Sequence, residues 1–265
     1  MKIFLVSNLL NYKKIDGENI PTEINNINGI VDQLSISLPI RNNLVFIASD
    51  PNNYEKVDRY STVTFKSFEL SNLKFDNCYT LDNRNADKAK ELIENSNMIF
   101  LSGGDTLTEN EFFKSINLKE LLKDYNGVIL GVSAGAINLA DNAYDSPETI
   151  LDIDKPHIFE GLSKTNINVE PHFMLDTTNF TEDELAQRNE ILKESYNREI
   201  YALVDGSHIL IDNKEDILYG EGYLIKDGDL TKLSISKEKF IINTKQIKEK
   251  RWHSKKKYYL MKIIL

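Results

Sequence analysis

The amino-acid sequence predicts an α/β fold, a mostly parallel sheet covered by helices on both faces. Short continuous apolar runs are the first observation, because such runs are typical of strands buried on both faces. They lie at Lys2–Val6, Leu44–Ala48, Met98–Leu101 and Gly127–Val132. Helix-like segments between the runs are the second observation, and they favour parallel strands joined by helical connections. A β-hairpin late in the chain is the third.

The predicted helices follow from apolar residues at helical spacing. The last of them begins at Thr181, whose hydroxyl can cap a helix, and Glu182, Asp183 and Glu184 in its first turn suit a helix N-terminus. The predicted helices cover Ile20–Leu38, Asn53–Leu70, Ala86–Asn95, Glu109–Tyr125 and Thr181–Tyr196.

The second half of the chain predicts shorter strands and tight turns. A turn at Asp205-Gly206 separates two strands, and a turn at Asp227-Gly228 predicts the late hairpin. The predicted strands are Asn166–Val169, Ile200–Leu203, Ser207–Ile211, Gly220–Ile225 and Leu230–Ile235. No repeat or linker interrupts residues 1–235, which we predict to be one domain, followed by an extension over residues 236–265. The extension holds a basic run that we interpret as a solvated terminus, formed by Lys248, Lys250, Arg251, Lys255, Lys256 and Lys257.

The composition indicates a folded, water-soluble protein. Of 265 residues, 41% are hydrophobic and 28% are charged, and the net charge is −9. An acidic chain is poorly suited to nucleic acid or anionic membranes, so we expect neither as a partner. No apolar run approaches a membrane span and no signal peptide is evident, so we expect a cytoplasmic location. An acidic homodimer would fit many small enzymes, although no residue specifies an interface.

The single cysteine, Cys78, excludes an internal disulfide and a cysteine-based zinc site. It stands beside a predicted strand, and we expect it to be a buried small hydrophobic residue rather than a reactive thiol.

The strongest motif is G-x-S-x-G, which centres on Ser133 at the end of an apolar strand. A sharp strand-to-helix turn holds such a serine in a strained conformation and exposes its hydroxyl, and Gly131 and Gly135 let neighbouring segments approach. The N–H group of Ala134, at the start of the following helix, could stabilise an oxyanion. Ser133 is therefore the candidate nucleophile. The alternative is a tight packing turn in which serine is merely small.

A glycine turn, Ser102-Gly103-Gly104-Asp105, follows the strand before this motif. Ligand sites of open α/β sheets gather where parallel strands end, so Gly103 or Gly104 could present an N–H group to an oxyanion. Capping of the next helix by Asp105 or Thr106 is a compatible alternative. The spacing of a nucleotide-binding glycine loop is absent from the sequence.

A serine nucleophile needs a base, and four histidines are available. His172 follows a predicted strand and the pair Glu170-Pro171, where a base could lie, and His157 is the rival. A carboxylate must also orient the histidine. Spacing does not choose among the candidates Asp141, Asp145, Glu148, Asp152 and Glu170.

Three blocks together resemble the peptidase E family, which includes aspartyl dipeptidases and is related to cyanophycinases. They are Leu101–Thr106, Gly131–Ala136 and Glu170–Phe173, in the family's order and approximate spacing. Gln187-Arg188 and Asp205-Gly206-Ser207 resemble weaker later blocks of the family. The resemblance covers roughly residues 1–235.

This resemblance implies a flavodoxin-like fold, similar to class I glutamine amidotransferases but with serine in place of cysteine. It also implies a Ser-His-acid triad that acts on short peptides without a metal or cofactor. Carried over by position, Ser133 is the nucleophile, His172 the base, and Gly104 and Ala134 the oxyanion donors. The family's acid falls on Glu148, or on Asp145 if the loop is shorter.

One position departs from the family. Leu185 stands where aspartyl dipeptidases carry the arginine that recognises an N-terminal aspartate, and leucine cannot pair with a carboxylate. We therefore expect hydrolase chemistry without strict Asp-X specificity, with Arg188 as the remaining candidate for substrate binding. The alternatives are an acyl-ester hydrolase and a non-enzymatic ligand-binding protein that retains the fold.

Overall fold

The computed structural model describes residues 1–242, so the basic run predicted as a solvated terminus lies outside the described residues. The helices are α1 Ile30–Ser37, α2 Tyr54–Leu70, α3 Ala89–Glu94, α4 Thr106–Ser115, α5 Leu118–Leu121, α6 Ala134–Ile137 and α7 Glu182–Glu194. Short 3₁₀ helices cover Ala86–Lys88 and Ile150–Asp152. Among the helices of residues 1–242, none has the length and apolar character to cross a membrane.

Within residues 1–242, the strands fall into one large sheet and three smaller ones. They are β1 Lys2–Val6, β2 Tyr12–Ile15, β3 Glu18–Pro21, β4 Asn43–Ile47, β5 Asn77–Leu81, β6 Met98–Leu101, β7 Val128–Val132, β8 Asn142–Tyr144, β9 Ile158–Glu160, β10 Asn168–Glu170, β11 Ile200–Leu203, β12 His208–Ile211, β13 Asp216–Tyr219, β14 Gly222–Lys226, β15 Asp229–Ser234 and β16 Lys239–Ile242.

The large sheet has eight strands in the order β16-β13-β12-β1-β7-β6-β4-β5. Five neighbouring strands are parallel, namely β1, β7, β6, β4 and β5, and β12, β13 and β16 extend the sheet as antiparallel strands. The predicted α/β class is confirmed. Because parallel strands end at the same edge, the loops after β1, β4, β6 and β7 all meet there.

Both faces of this sheet are covered, as alternate residues of each strand show. Ile3 and Leu5 of β1 pack in a cluster with residues of α3, α4, α5 and α6. Phe4 and Val6 of the same strand pack on the opposite face with residues of α1 and α2. This arrangement explains why the parallel strands read as continuous apolar runs, since neither side of a strand meets water.

A second sheet, in the order β10-β11-β14-β15, carries the other part of the site. Helix α7 packs on it through Ile191, against Phe173 and Ile200. The late hairpin is confirmed as β14 and β15, and its turn residues Asp227 and Gly228 have φ of 52° and 80°. The two strands predicted on either side of Asp205-Gly206 lie in different sheets, β11 in the second and β12 in the first.

Two predicted helices are wrong in extent. Only residues 30–37 of the first are helical, because Glu18–Pro21 pairs with Tyr12–Ile15 as a hairpin. Asp16 and Gly17 form its turn with φ of 50° and 86°, a geometry typical of a tight hairpin. The helix predicted over Glu109–Tyr125 is two helices, broken where Asn117 adopts a φ of 54°.

The expectation of a buried Cys78 is also wrong. Cys78 is exposed on β5, which is an edge strand of the large sheet. Neighbouring residues Asn77 and Tyr79 are exposed as well, and among residues 1–242 only β4 pairs with this strand.

Candidate active site

Ser133 occupies the sharp turn between β7 and α6. Its φ of 53° and ψ of −115° are strained for a residue with a side chain, as expected for a serine pushed out of the sheet. The flanking glycines are required by close backbone contacts. A Cβ on Gly131 would lie 2.4 Å from the carbonyl oxygen of Gly135, and a Cβ on Gly135 would lie 2.5 Å from that of Leu101.

His172 lies within hydrogen-bond distance of Ser133, with 3.0 Å between Nε2 and Oγ. It follows β10 in the second sheet and has a φ of 55°, and its backbone N–H donates to Oγ of Ser7 at 2.8 Å. The structure thus brings the predicted serine and histidine together across two sheets. The rival, His157, instead has its Nε2 2.8 Å from the carbonyl oxygen of Asp152.

The carboxylate beside the histidine is Asp205, with 2.8 Å between Oδ1 and Nδ1 of His172. Ser7 donates its hydroxyl to the same Oδ1 at 2.9 Å, and Asn8 donates to Oδ2 at 3.1 Å. Partial burial alone would raise the pKa of Asp205, but the hydrogen bonds from His172, Ser7 and Asn8 hold that pKa below its ordinary value. The group is therefore a carboxylate at neutral pH.

The resemblance implied Glu148 as the carboxylate beside His172, and this placement is corrected, because Asp205 lies there instead. Glu148 makes no hydrogen bond to His172 and is exposed at the rim of a cavity beside Ser133. The alternative, Asp145, accepts a hydrogen bond from Thr106 Oγ1 at 2.9 Å. Burial raises the pKa of Asp145 to about 6.

The sheet order explains how Asp205 reaches the site. Strand β12 runs antiparallel to β1, and His208 pairs with Val6 at the edge where the parallel strands end. The turn before β12 therefore lies beside the residues after β1, which are Ser7 and Asn8. In the sequence, Asp205 stands in a predicted turn with no assigned role, and the weak Asp205-Gly206-Ser207 block was the one signal for it.

The glycine turn after β6 lies against Ser133. A Cβ on Gly103 would be 3.3 Å from the Cβ of Ser133, and Gly104 has a φ of 157°. Ser49, which follows β4, donates its hydroxyl to the carbonyl oxygen of Gly103 at 2.7 Å. A Cβ on Gly104 would lie only 2.2 Å from Ser49 Oγ, so this position requires glycine. The capping alternative also holds, because Asp105 Oδ1 accepts from the N–H of Thr108.

Two cavities meet at Ser133, and Gly104 and His172 line both. The acidic cavity has a volume of about 280 Å³ and contains four carboxyl groups, those of Asp145, Glu148, Glu170 and Glu184. The aromatic cavity has a volume of about 290 Å³. Its lining includes Leu9, Tyr12, Phe46, Lys56, Tyr60 and Phe100, together with the polar residues Asn8, Asn11, Thr64 and Ser102.

Arg188 lines the acidic cavity, whereas Leu185 is exposed and does not. The guanidinium of Arg188 stacks over the ring of Phe173 at 4.2 Å and donates to the carbonyl oxygen of Met174. Stacking and this hydrogen bond hold the guanidinium at the wall of the cavity.

Glu170 is buried at the base of the acidic cavity, two residues before His172. Its Oε1 accepts from Ser146 Oγ at 3.0 Å, and Gln187 donates to the same hydroxyl at 3.0 Å. Burial raises the pKa of Glu170 to about 8, and the charge of Asp145 acts in the same direction. The hydrogen bond from Ser146 and the charge of Arg188 lower this pKa. Glu170 is therefore mostly protonated at neutral pH.

This raised pKa predicts a stability difference that depends on pH. Between about pH 4.5 and pH 8 the folded protein holds a proton on Glu170 that the unfolded chain has lost, so this group's contribution to the free energy of unfolding falls as pH rises. Glu170→Gln removes that contribution. We expect the free energy of unfolding of the variant, minus that of wild type, to rise by roughly 2–4 kcal/mol between pH 5 and pH 8.5.

Urea unfolding of both proteins at several pH values measures this difference. Asp145 is present in both and contributes with the same sign at lower pH, so comparing the two proteins isolates Glu170. Curves of unfolding free energy that stay parallel across the range would show that Glu170 ionises normally.

Comparisons with known proteins show the family of the chain and a similar fold. Residues 30–218 match the model of Peptidase family S51. A 1.5 Å crystal structure of a candidate peptidase E protein from Listeria monocytogenes EGD-e has a similar fold, with a TM-score of 0.55 and 20% sequence identity. The match covers 82% of this chain and 96% of that one. No curated protein sequence matches the chain. The family model spans well over half of the sequence, and the chain therefore belongs to peptidase family S51.

Proposed function

We propose that this member of family S51 is a serine peptidase that hydrolyses dipeptides through an acyl-enzyme. The observation that carries the proposal is the hydrogen-bonded series from Ser133 through His172 to Asp205, with distances of 3.0 Å and 2.8 Å. These groups have the types and the order that a nucleophile, its base and an orienting carboxylate require. The histidine is also close enough to activate the serine, which favours an enzyme over a binding protein.

In the first half of the reaction, Ser133 Oγ attacks the scissile carbonyl while Nε2 of His172 accepts its proton. Asp205 accepts a hydrogen bond from Nδ1–H, which fixes the tautomer in which Nε2 is free to act as base and stabilises the imidazolium that forms. His172 then donates its proton to the leaving amine. Water, activated by the same histidine, hydrolyses the acyl-enzyme and regenerates Ser133.

The N–H groups of Gly104 and Ala134 are the proposed donors to the tetrahedral oxyanion. No hydrogen bond within residues 1–242 uses either group. Ala134 begins α6 directly after the nucleophile. In the peptide joining Gly103 to Gly104, the C=O and N–H point in opposite directions because the bond is trans. Ser49 holds that C=O, so the N–H of Gly104 points away from Ser49.

A short substrate is favoured by the size of the two cavities. Each volume is near or below the ~300 Å³ lower limit of common ligand pockets. Besides the mostly protonated Glu170, the acidic cavity holds the carboxyl groups of Asp145, Glu148 and Glu184 against the single cation Arg188. This excess of negative charge disfavours a substrate aspartate there, and the exposed Leu185 adds no positive charge. We therefore propose a dipeptidase without strict Asp-X preference, in which Arg188 contacts the substrate from the cavity wall.

The direct test is labelling of Ser133 with a fluorophosphonate, located by peptide mass spectrometry, together with hydrolysis of a dipeptide panel. We expect labelling at Ser133 and cleavage of dipeptides. A parallel panel of acyl esters distinguishes the acyl-ester alternative, which would show efficient ester cleavage without peptide cleavage. Absence of both labelling and hydrolysis would favour the binding-protein alternative.

The position of Ser49 predicts a separate effect on turnover. Ser49→Ala removes the hydrogen bond that holds the Gly103 carbonyl oxygen, so the N–H of Gly104 is oriented less firmly. We expect kcat to fall roughly 10-fold with little change in KM, which is less than the ~10²–10³-fold effect of losing an oxyanion donor outright. Steady-state kinetics on one dipeptide measures the change.

Ser195→Ala is the matched control for this variant. Ser195 is also a buried serine, and its hydroxyl donates to the carbonyl oxygen of Leu192 and accepts from the N–H of Gly228, away from both cavities. We expect it to lower stability without lowering kcat. Equal effects of the two variants on kcat would indicate that Ser49 acts only through overall stability.

A further inference from the structure

The aromatic cavity differs from the acidic cavity in charge, although both open onto Ser133. Its lining includes Lys56 and no carboxylate. The ammonium of Lys56 lies 4.0 Å from Oδ2 of Asp50, and both side chains are partly exposed. An ion pair of this length and exposure contributes little, so Lys56 is available to a stronger anionic partner.

The walls of this cavity are suited to an apolar side chain. The rings of Tyr12 and Tyr60 meet edge to face, with 6.3 Å between their centroids. Phe46 and Phe100 stack at 5.4 Å on the sheet beneath. Aromatic surfaces of this kind bind flat or bulky apolar groups favourably.

A short peptide has a carboxylate at one end and an ammonium at the other. In the acidic cavity the carboxyl groups of Asp145, Glu148 and Glu184 outnumber the one cation, Arg188, even with Glu170 protonated, so the net negative charge would repel the carboxylate end. Lys56 would attract it through a charge-assisted hydrogen bond. With the scissile carbonyl held at Ser133, this asymmetry directs the C-terminal residue toward the aromatic cavity.

We propose that the aromatic cavity is the subsite for the leaving residue of a dipeptide, and that Lys56 binds its free carboxylate while Tyr12 and Tyr60 contact its side chain. This inference rests on the proposed peptidase function and assigns its substrate class. The preferred substrates are dipeptides with an aromatic or bulky apolar C-terminal residue and an unblocked C-terminus. Lys56 is then a specificity-determining residue.

The test compares leaving groups at a constant acyl residue, which is the best one from the dipeptide panel. The substrates end in phenylalanine, phenylalaninamide or glycine. For wild type we expect kcat/KM to favour the phenylalanine acid over its amide by about 10-fold or more. Lys56→Met should reduce this ratio to about 1 through KM, whereas Lys56→Arg should largely retain it.

Lys66→Met is the matched control, because Lys66 is an exposed lysine of the same helix that pairs with Glu69. We expect it to keep the wild-type ratio. If Lys56→Met keeps the wild-type ratio as well, or if wild type prefers the amide or glycine, the inference is overturned. Continued hydrolysis and labelling of Ser133 in that case would leave the proposed peptidase function intact.

A binding measurement tests the subsite without turnover. Titration calorimetry with Ser133→Ala protein compares phenylalanine with phenylalaninamide, both of which could occupy the leaving-residue position. We expect tighter binding of phenylalanine, and loss of that preference when Lys56→Met is added. Equal binding of the two ligands, or no binding of phenylalanine, would overturn the inference.

Discussion

Replacing Ser133 by alanine is expected to lower kcat for dipeptide hydrolysis by about 10⁶-fold, the scale seen when a serine protease loses its nucleophile. The loss follows because no other hydroxyl of the site is hydrogen-bonded to Nε2 of His172. Steady-state hydrolysis of the best dipeptide measures the change, with fluorophosphonate labelling as a second readout. Circular dichroism checks that the variant folds.

Ser133 is expected to act together with His172, so the effects of replacing the two residues should not multiply. His172→Ala should be nearly as damaging as Ser133→Ala, and the double variant should be no worse than either single variant, because each removes the same activated nucleophile. Effects that multiply in the double variant would indicate that the two residues act independently. Labelling that persists in Ser133→Ala would place the reactive group elsewhere.

Asp205→Asn is expected to lower kcat by about 10⁴-fold. An asparagine would keep the size of the side chain but not its charge, so the imidazolium of His172 would lose its stabilising partner. The surrounding donors strengthen the effect, because Ser7 donates to one carboxylate oxygen of Asp205 and Asn8 to the other. An amide nitrogen at either position would therefore break one of these hydrogen bonds. An amide nitrogen turned toward Nδ1 would favour the tautomer in which Nε2 cannot accept a proton.

Glu148→Gln is the matched control for Asp205→Asn. Glu148 was the acid expected from the family resemblance, yet it is exposed and makes no hydrogen bond to His172. We expect a change in kcat of less than about 10-fold, as for a group that contacts the cavity but not the base. A loss in Glu148→Gln as large as that in Asp205→Asn would mean that the loop carrying Glu148 closes on the histidine during turnover.

Much of the local chemistry was predictable from the sequence. The sharp turn at Ser133 was recognisable because its requirements are local, namely an apolar strand, glycines on either side and small residues that open a helix. Helix α7 was predicted from its cap Thr181 and the acidic residues of its first turn, and the structure shows Thr181 and Glu184 as a capping box. The parallel strands were predictable from apolar runs, because burial of both faces removes polar residues from them.

The tertiary structure alone decided which carboxylate meets His172, where the chain forms a hairpin instead of a helix near residue 20, and how two cavities divide around Ser133. Asp205 lies 33 residues after His172, and only the antiparallel pairing of β12 with β1 brings it next to Ser7 and His172. Pairing of distant strands depends on the packing of the whole sheet, whereas motif spacing records only neighbours along the chain. The sequence by itself therefore determined the fold class and singled out Ser133 and His172, and the order of strands decided that Asp205 and the two cavities lie beside them.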